Sequence, residues 1–175
     1  KFNQEGRVNM VFGRKKEASD DAEPWTRVNP PRPAVDGQFR QPTDVTWDPQ
    51  GNIYISDGYI NSRVAKYDKN GKFVKSVGTR GNQPGQLNTP HSITSDAQGN
   101  IYVGDRGNAR VQVFDNDLVL RAIYDNVGNP WAVCISPGPH QYLFVSNSNP
   151  DSNPAASWAI TGEIYKMELD GTIVG

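Results

Sequence analysis

Between residues 43 and 78 apolar and polar positions alternate in four short bursts separated by turn residues. Thr43–Asp48 sets Val45 and Trp47 against polar neighbours, and Asn52–Ser56 follows the turn Pro49-Gln50-Gly51. Arg63–Asp68 carries Val64, Ala65 and Tyr67 less regularly, and Lys72–Val77 follows Asp68-Lys69-Asn70-Gly71. Alternation of period two over runs this short predicts strands joined by tight turns. The same set returns at His91–Asp96, Asn100–Gly104, Arg110–Asp115 and about Val119–Asp125. A third, looser set runs through Trp131–Ser136, Gln141–Ser146 and Glu163–Glu168, with a further strand opening at Gly171.

The recurrence is a true repeat. Gly37/Gly85, Pro42/Pro90, Gly51/Gly99, Tyr54/Tyr102 and Asp57/Asp105 all stand 48 residues apart. Four antiparallel strands per period of this size is the unit of a β-propeller, whose rings hold typically four to eight blades. The expected fold is therefore all-β, a propeller of four-stranded antiparallel blades with about three blades present. One blade occupies residues 37–78, a second 79–125 and a third 126–175, the last with a polar, proline-bearing insertion at 147–160. Residues 1–13 match the end of the first blade at a shift of 65 and are expected to close a preceding blade. Residues 14–36, with Pro30-Pro31-Arg32-Pro33, read as one long rim loop, since prolines deny ladder hydrogen bonds. Three blades fall short of a closed ring, so missing blades from a longer parent chain are expected.

Composition narrows the function. The 175 residues carry 18 basic and 19 acidic side chains, a net charge of −1, which offers no field for nucleic acid. No apolar run reaches the roughly 18 residues of a membrane-spanning helix, so no membrane partner is expected. The single cysteine, Cys134, forbids an internal disulfide and is expected to be buried in the apolar run Trp131–Ile135.

The run Gly-Gln-Phe/Leu, Pro, Gly-Asn-Ile-Tyr-Ile/Val-x-Asp, Asn-x-Arg-Val, Tyr/Phe-Asp and Gly resembles the NHL repeat, well over residues 37–125 and weakly over 126–175. Gln41-Pro-Thr-Asp-Val45, Ser56-Asp-Gly-Tyr-Ile-Asn-Ser-Arg-Val64, Pro90-His-Ser-Ile93 and Asp105-Arg-Gly-Asn-Ala-Arg110 are more pointed. In that order they resemble the catalytic core of peptidyl-α-hydroxyglycine α-amidating lyase. The resemblance implies a six-bladed ring with a zinc held by three histidines near the axis, and room for calcium as a structural ion. It makes His91 a zinc ligand, Tyr59 the candidate base and Arg106 the arginine beside a peptide substrate. It also implies an extracytoplasmic or secreted protein. Two departures stand out. Ile60 replaces the cysteine that follows this tyrosine in the animal enzymes, and two of the three histidines have no match.

The repeat offers an independent reading. His91 falls where the first blade has Thr43, Arg106 where it has Gly58, and Tyr59 where the second has Gly107. These three break the repeat, whereas Asp57/Asp105 and Arg63/Arg110 keep it and are expected to pair as part of the blade. His91 begins an inner strand while Tyr59 and Arg106 follow the next one. Antiparallel pairing therefore sets all three on one rim, which the 14–36 and 147–160 loops join. His140 falls in a turn at the opposite rim. The successive residues Thr43, His91 and Trp131, each after a proline, leave one histidine in three blades. His91 can thus be a metal ligand or a hydrogen-bonded, metal-free strand residue, and Tyr59 a base or a plain rim aromatic. A non-catalytic propeller binding a peptide or protein on this rim is the alternative function; Trp25, Trp131 and Trp158 could offer stacking aromatics to RNA, but the balanced charge makes nucleic acid the poorest option.

Overall fold

The computed structural model describes residues 1–13, 27–148 and 162–175. The expected loop segments 14–26 and 149–161, with Trp25 and Trp158, lie outside them. Two four-stranded antiparallel sheets and one of three strands follow each other along the chain. The first holds β1 (Asp44–Trp47), β2 (Ile53–Asp57), β3 (Arg63–Tyr67) and β4 (Phe73–Val77). The second holds β5 (Pro90–Ser95), β6 (Ile101–Asp105), β7 (Arg110–Phe114) and β8 (Leu120–Tyr124). The third holds β9 (Asn129–Ile135), β10 (Leu143–Ser148) and β11 (Ile164–Met167). Beyond β11 the chain returns in a single bridge, Met167 to Ile173. Each sheet is a simple meander, and β5 packs between β1 and β9. These are propeller blades, standing face to face with their first strands innermost.

Each blade buries both faces of its middle strands, which is why β2, β3, β6 and β7 show no exposed residue. Tyr54 and Val64 of the first blade meet Ile93, Ile101, Val103 and Phe114 of the second. Tyr102, Val111 and Val113 leave the second blade's other face to meet Val133, Leu143, Val145 and Met167. The rule of period two thus sends alternate residues into two different cores. At roughly 25 cal/mol per Å² of apolar surface, these interfaces dominate stability.

The same rule corrects one expectation. Cys134 is exposed, not buried. Val133 and Ile135 face the second blade, so Cys134 between them points to the far side of β9, where among the described residues no other sheet packs. The first blade's far face is open in the same way. Val45 is 50% exposed, whereas its repeat counterparts Ile93 and Val133 are 3% and 6% exposed. Met10, Phe12 and Phe39 cover part of that face, and a cavity of about 780 Å³ runs beside Phe12, Phe39, Val45 and Trp47.

The acidic residues kept by the repeat are structural. Asp57 accepts hydrogen bonds from the Arg40 N–H (2.8 Å), Asn61 (2.5 Å) and Arg63 (3.3 Å). Asp105 accepts the equivalent set from the Asn88 N–H (2.7 Å), Asn108 (2.8 Å) and Arg110 (2.8 Å). The two arginines then donate to loop carbonyls, Arg63 to Val35 and Gln38, Arg110 to Asn82, Gln83 and Gln86. In each of the first two blades one buried ion pair therefore ties the incoming loop to the second and third strands, as expected from sequence.

Asp48 closes the β1–β2 turn, accepting from the Gln50 and Asn52 N–H groups and from the Tyr54 hydroxyl. Burial raises its carboxyl pKa, but the bonds from Asn52, Tyr54 and Asn116 outweigh burial and hold it below the ordinary value. Asp105 runs the other way, because burial there outweighs the bonds from Asn88, Asn108 and Arg110.

Two predictions follow from these acids. Arg110→Ala strands a buried carboxylate and should cost about 3–5 kcal/mol in chemical denaturation; a loss within error of a surface substitution would refute the pairing role. A depressed pKa means that Asp48 contributes stability above the ordinary carboxylate value of about 3.9. That contribution disappears as pH falls through its lower folded value. Melting temperature should therefore drop on acidification, with a shallower drop in Asp48→Asn.

Candidate functional site

The site is built where the inner strands begin. Thr89 enters β5 with φ at +54°, a left-handed conformation costly for a β-branched residue, on the order of 1–3 kcal/mol. Its repeat partner Gln41 does the same at +63°. Then the ladder slips. Pro90 pairs with Asp105 and Ser92 with Gly104, so His91 is an extra residue, a β-bulge. Blade three repeats the slip, since Pro130 pairs with Asn147 and Ala132 with Ser146, leaving Trp131 as the extra residue. Bulges re-aim a side chain at a sheet rim. Two adjacent blades therefore turn His91 and Trp131 toward the same place.

Close packing fixes the position of this bulge. The Pro90 carbonyl accepts the Thr43 hydroxyl at 2.7 Å, linking the first two blades. A Cβ on Gly58 would lie 2.1 Å from that same carbonyl oxygen, so no side chain fits there. Gly107, beside Arg106, has a similar role, since a Cβ would lie 2.6 Å from the Asn88 carbonyl. Gly58 is thus required by the approach of the next blade's backbone, and Gly107 by the loop that enters its own blade.

All three residues singled out from sequence come together here. The Tyr59 and His91 rings meet edge to face with centroids 5.9 Å apart. His91 lies against the Trp131 ring at 4.4 Å, and the Arg106 guanidinium carbon lies over the Trp131 ring at 4.1 Å. The result is one continuous series, Tyr59, His91, Trp131, Arg106, spanning three blades. Arg106 is only 5% exposed, and its Nε lies 3.4 Å from the Ser148 hydroxyl. A cation held in so little water projects its charge more strongly than an exposed one. Arg27, from the described end of the long loop, donates to the Tyr59 carbonyl at 2.5 Å and to the Thr89 hydroxyl. His140 lies elsewhere, pairing with Glu168 at 2.9 Å beyond the opposite ends of the strands.

The His91 tautomer follows from its partner. Its Nδ1 lies 2.8 Å from the Trp131 carbonyl, which can only accept. The neutral ring therefore carries its proton on Nδ1, leaving the Nε2 lone pair to ligate a metal or accept a proton. Among the described residues no three His, Cys, Asp or Glu side chains gather to hold a metal ion. His91 supplies one nitrogen, and the described residues do not make a zinc site by themselves.

Sequence reasoning named Trp131 as an aromatic and in the series Thr43, His91, Trp131 but missed its contacts with His91 and Arg106, because the bulge that aims it there has no mark in composition. Arg27 had no signal beyond membership of a long loop.

The fold and the repeat define the class. An NHL repeat family model matches residues 87–114, and the face-to-face blades are those of an NHL-repeat β-propeller fold. Its curated relatives are amidating enzymes. It is 34% identical over 145 residues to peptidylglycine alpha-amidating monooxygenase of Rattus norvegicus, covering 74% of this chain and 14% of that protein. It is 41% identical over 83 residues to a probable peptidyl-alpha-hydroxyglycine alpha-amidating lyase of Caenorhabditis elegans, covering 46% and 24%. The chain thus spans a quarter or less of these relatives. Among solved structures, hydrazine synthase of Kuenenia stuttgartiensis superposes with a TM-score of 0.61 at 17% identity, over 85% of this chain and 38% of that one. That likeness concerns fold alone.

Gly58→Ala should push the Pro90 carbonyl and the bulge outward, at a cost of roughly 1–3 kcal/mol typical of overpacking. Nuclear Overhauser contacts between the Tyr59 and His91 rings should weaken. Unchanged contacts at full stability would show that Gly58 does not set the site.

Proposed function

We propose that this propeller carries one side of a peptidyl-α-hydroxyglycine lyase site, cleaving a carbinolamide to peptide amide and glyoxylate. The observation that carries the proposal is the gathering of Tyr59, His91 and Arg106, each a break in the repeat, into one series on one rim. Kinship with amidating enzymes supports the same reading.

The reaction moves one proton and one electron pair. A base takes the α-hydroxyl proton, the oxygen closes to a carbonyl, and the N–Cα pair leaves with the amide nitrogen, which must be protonated. Tyr59 is the proposed base, returning the proton to nitrogen as a general acid. Arg106 offers a buried positive charge that favours both the phenolate and the substrate carboxylate. His91, with Nε2 unprotonated, accepts a hydrogen bond or ligates metal at the hydroxyl. Zinc remains part of the proposal, and its other ligands lie beyond the described residues. Calcium as a structural ion and secretion of the protein are proposed on the same kinship.

A six-bladed ring completed by further blades belongs to this proposal as well. Its support is the open face of β1, where Val45 occupies the position that neighbouring blades bury in the other two sheets. A second reading has one observation in its favour. Trp131 is 44% exposed against His91, an aromatic rim suited to holding a peptide or protein without cleaving it.

The test is glyoxylate release from a peptidyl-α-hydroxyglycine by the longest natural form of the protein, together with its zinc content. Release should fall about 10²–10⁴-fold in Tyr59→Phe, the range of lost general acid–base catalysis. His91→Ala should lose zinc. Peptide binding with no glyoxylate would favour the binding reading, and undiminished release by Tyr59→Phe would remove that residue as the base.

A further inference from the structure

We infer that Trp131 is the positioning residue of this rim, holding His91 through its carbonyl and Arg106 through its ring. The inference rests on the proposed pairing of His91 with Arg106 in one site, and it adds a residue that neither the repeat nor the family resemblance selects. Three features of the structure support it. First, Trp131 is the bulged residue of β9, outside the paired positions of the β9–β10 ladder, and its carbonyl oxygen lies 2.8 Å from His91 Nδ1. Second, its indole lies against both partners, 4.4 Å from the His91 ring and 4.1 Å from the Arg106 guanidinium carbon. Third, it does this while 44% exposed, although Pro130 and Val133 on the same strand are buried in the blade interface.

A tryptophan serving only as core would be covered. This one spends its aromatic surface on a cation and an imidazole, the two contacts that a π-face makes best. The consequence is chemical. A backbone carbonyl against Nδ1 orients the ring and fixes the tautomer in the manner of the outer partners of metal-binding histidines. The exposed Nε2 is then presented in one direction, whether it meets a metal or a substrate hydroxyl. Arg106 is meanwhile kept over the indole instead of sweeping the rim. The cation and the nitrogen are thereby held at a set separation by a single residue belonging to the next blade. Blade three, weakest in repeat character, is thus required for the site formed by blades one and two.

The test needs no turnover. In the full chain at mildly alkaline pH, long-range ¹H–¹⁵N spectra should show His91 as the Nδ1–H tautomer. The Arg106 Nε–H resonance should be shifted upfield by the indole ring current. Trp131→Leu keeps apolar bulk and the backbone carbonyl but has no π-face; it should lose the Arg106 shift while His91 keeps the Nδ1–H tautomer, and Trp131→Phe retains much of the shift. Melting temperatures for the two variants report folding separately. An Nε2–H tautomer in the parent chain, or a Leu variant with the Arg106 shift unchanged, overturns the inference. An Arg106 shift present in the parent chain and lost in the Leu variant upholds it even where no glyoxylate is released, a result that would count against the lyase reading alone.

Discussion

The buried pair of Asp105 and Arg110 is the constraint on which the site depends. The carboxylate takes the Asn88 N–H on one oxygen and Asn108, Arg110 and Gln112 on the other, while the arginine gathers three loop carbonyls. A buried charge pair is seldom a large net source of stability, because desolvation offsets attraction. Its value here is geometric. It locks the loop that delivers Thr89, Pro90 and His91 to the rim, and the equivalent Asp57–Arg63 pair locks the loop that delivers Thr43. With both loops fixed, Thr43 can reach the Pro90 carbonyl and the blades meet in register.

From there the site is a matter of contacts between blades. Tyr59 comes from blade one, His91 and Arg106 from blade two, Trp131 from blade three, and no two consecutive members of the series share a blade. Relative blade placement therefore controls the geometry of this group, and the apolar faces that set it act on it as directly as the rim residues do. The asymmetry between blades is equally useful. A strictly repeated sequence would place Thr43, or a glycine, at every equivalent position and leave an inert rim.

Much of this was legible in the chain. Alternation of period two and the 48-residue shift specify four short strands per unit, because a strand buried on one or both faces admits few other patterns. The Asp–Arg pairs were legible too, since residues kept in both of the first two units while their neighbours vary serve the unit itself. So was the convergence of Tyr59, His91 and Arg106, which needs only the antiparallel order of adjacent strands.

Tertiary structure decided the rest. Cys134 lies in an apolar run that reads as interior, yet only the stacking order of blades determines which face of β9 is covered, and Cys134 is on the other one. The bulges at His91 and Trp131 come from a ladder slip that depends on partner strands far along the chain. The tautomer of His91 depends on a carbonyl 40 residues away. Sequence by itself determined the local elements and the residues that depart from the repeat, because propensity and alternation act within a few residues. Which departures touch, and through which atoms, was left to the packing of one blade on another.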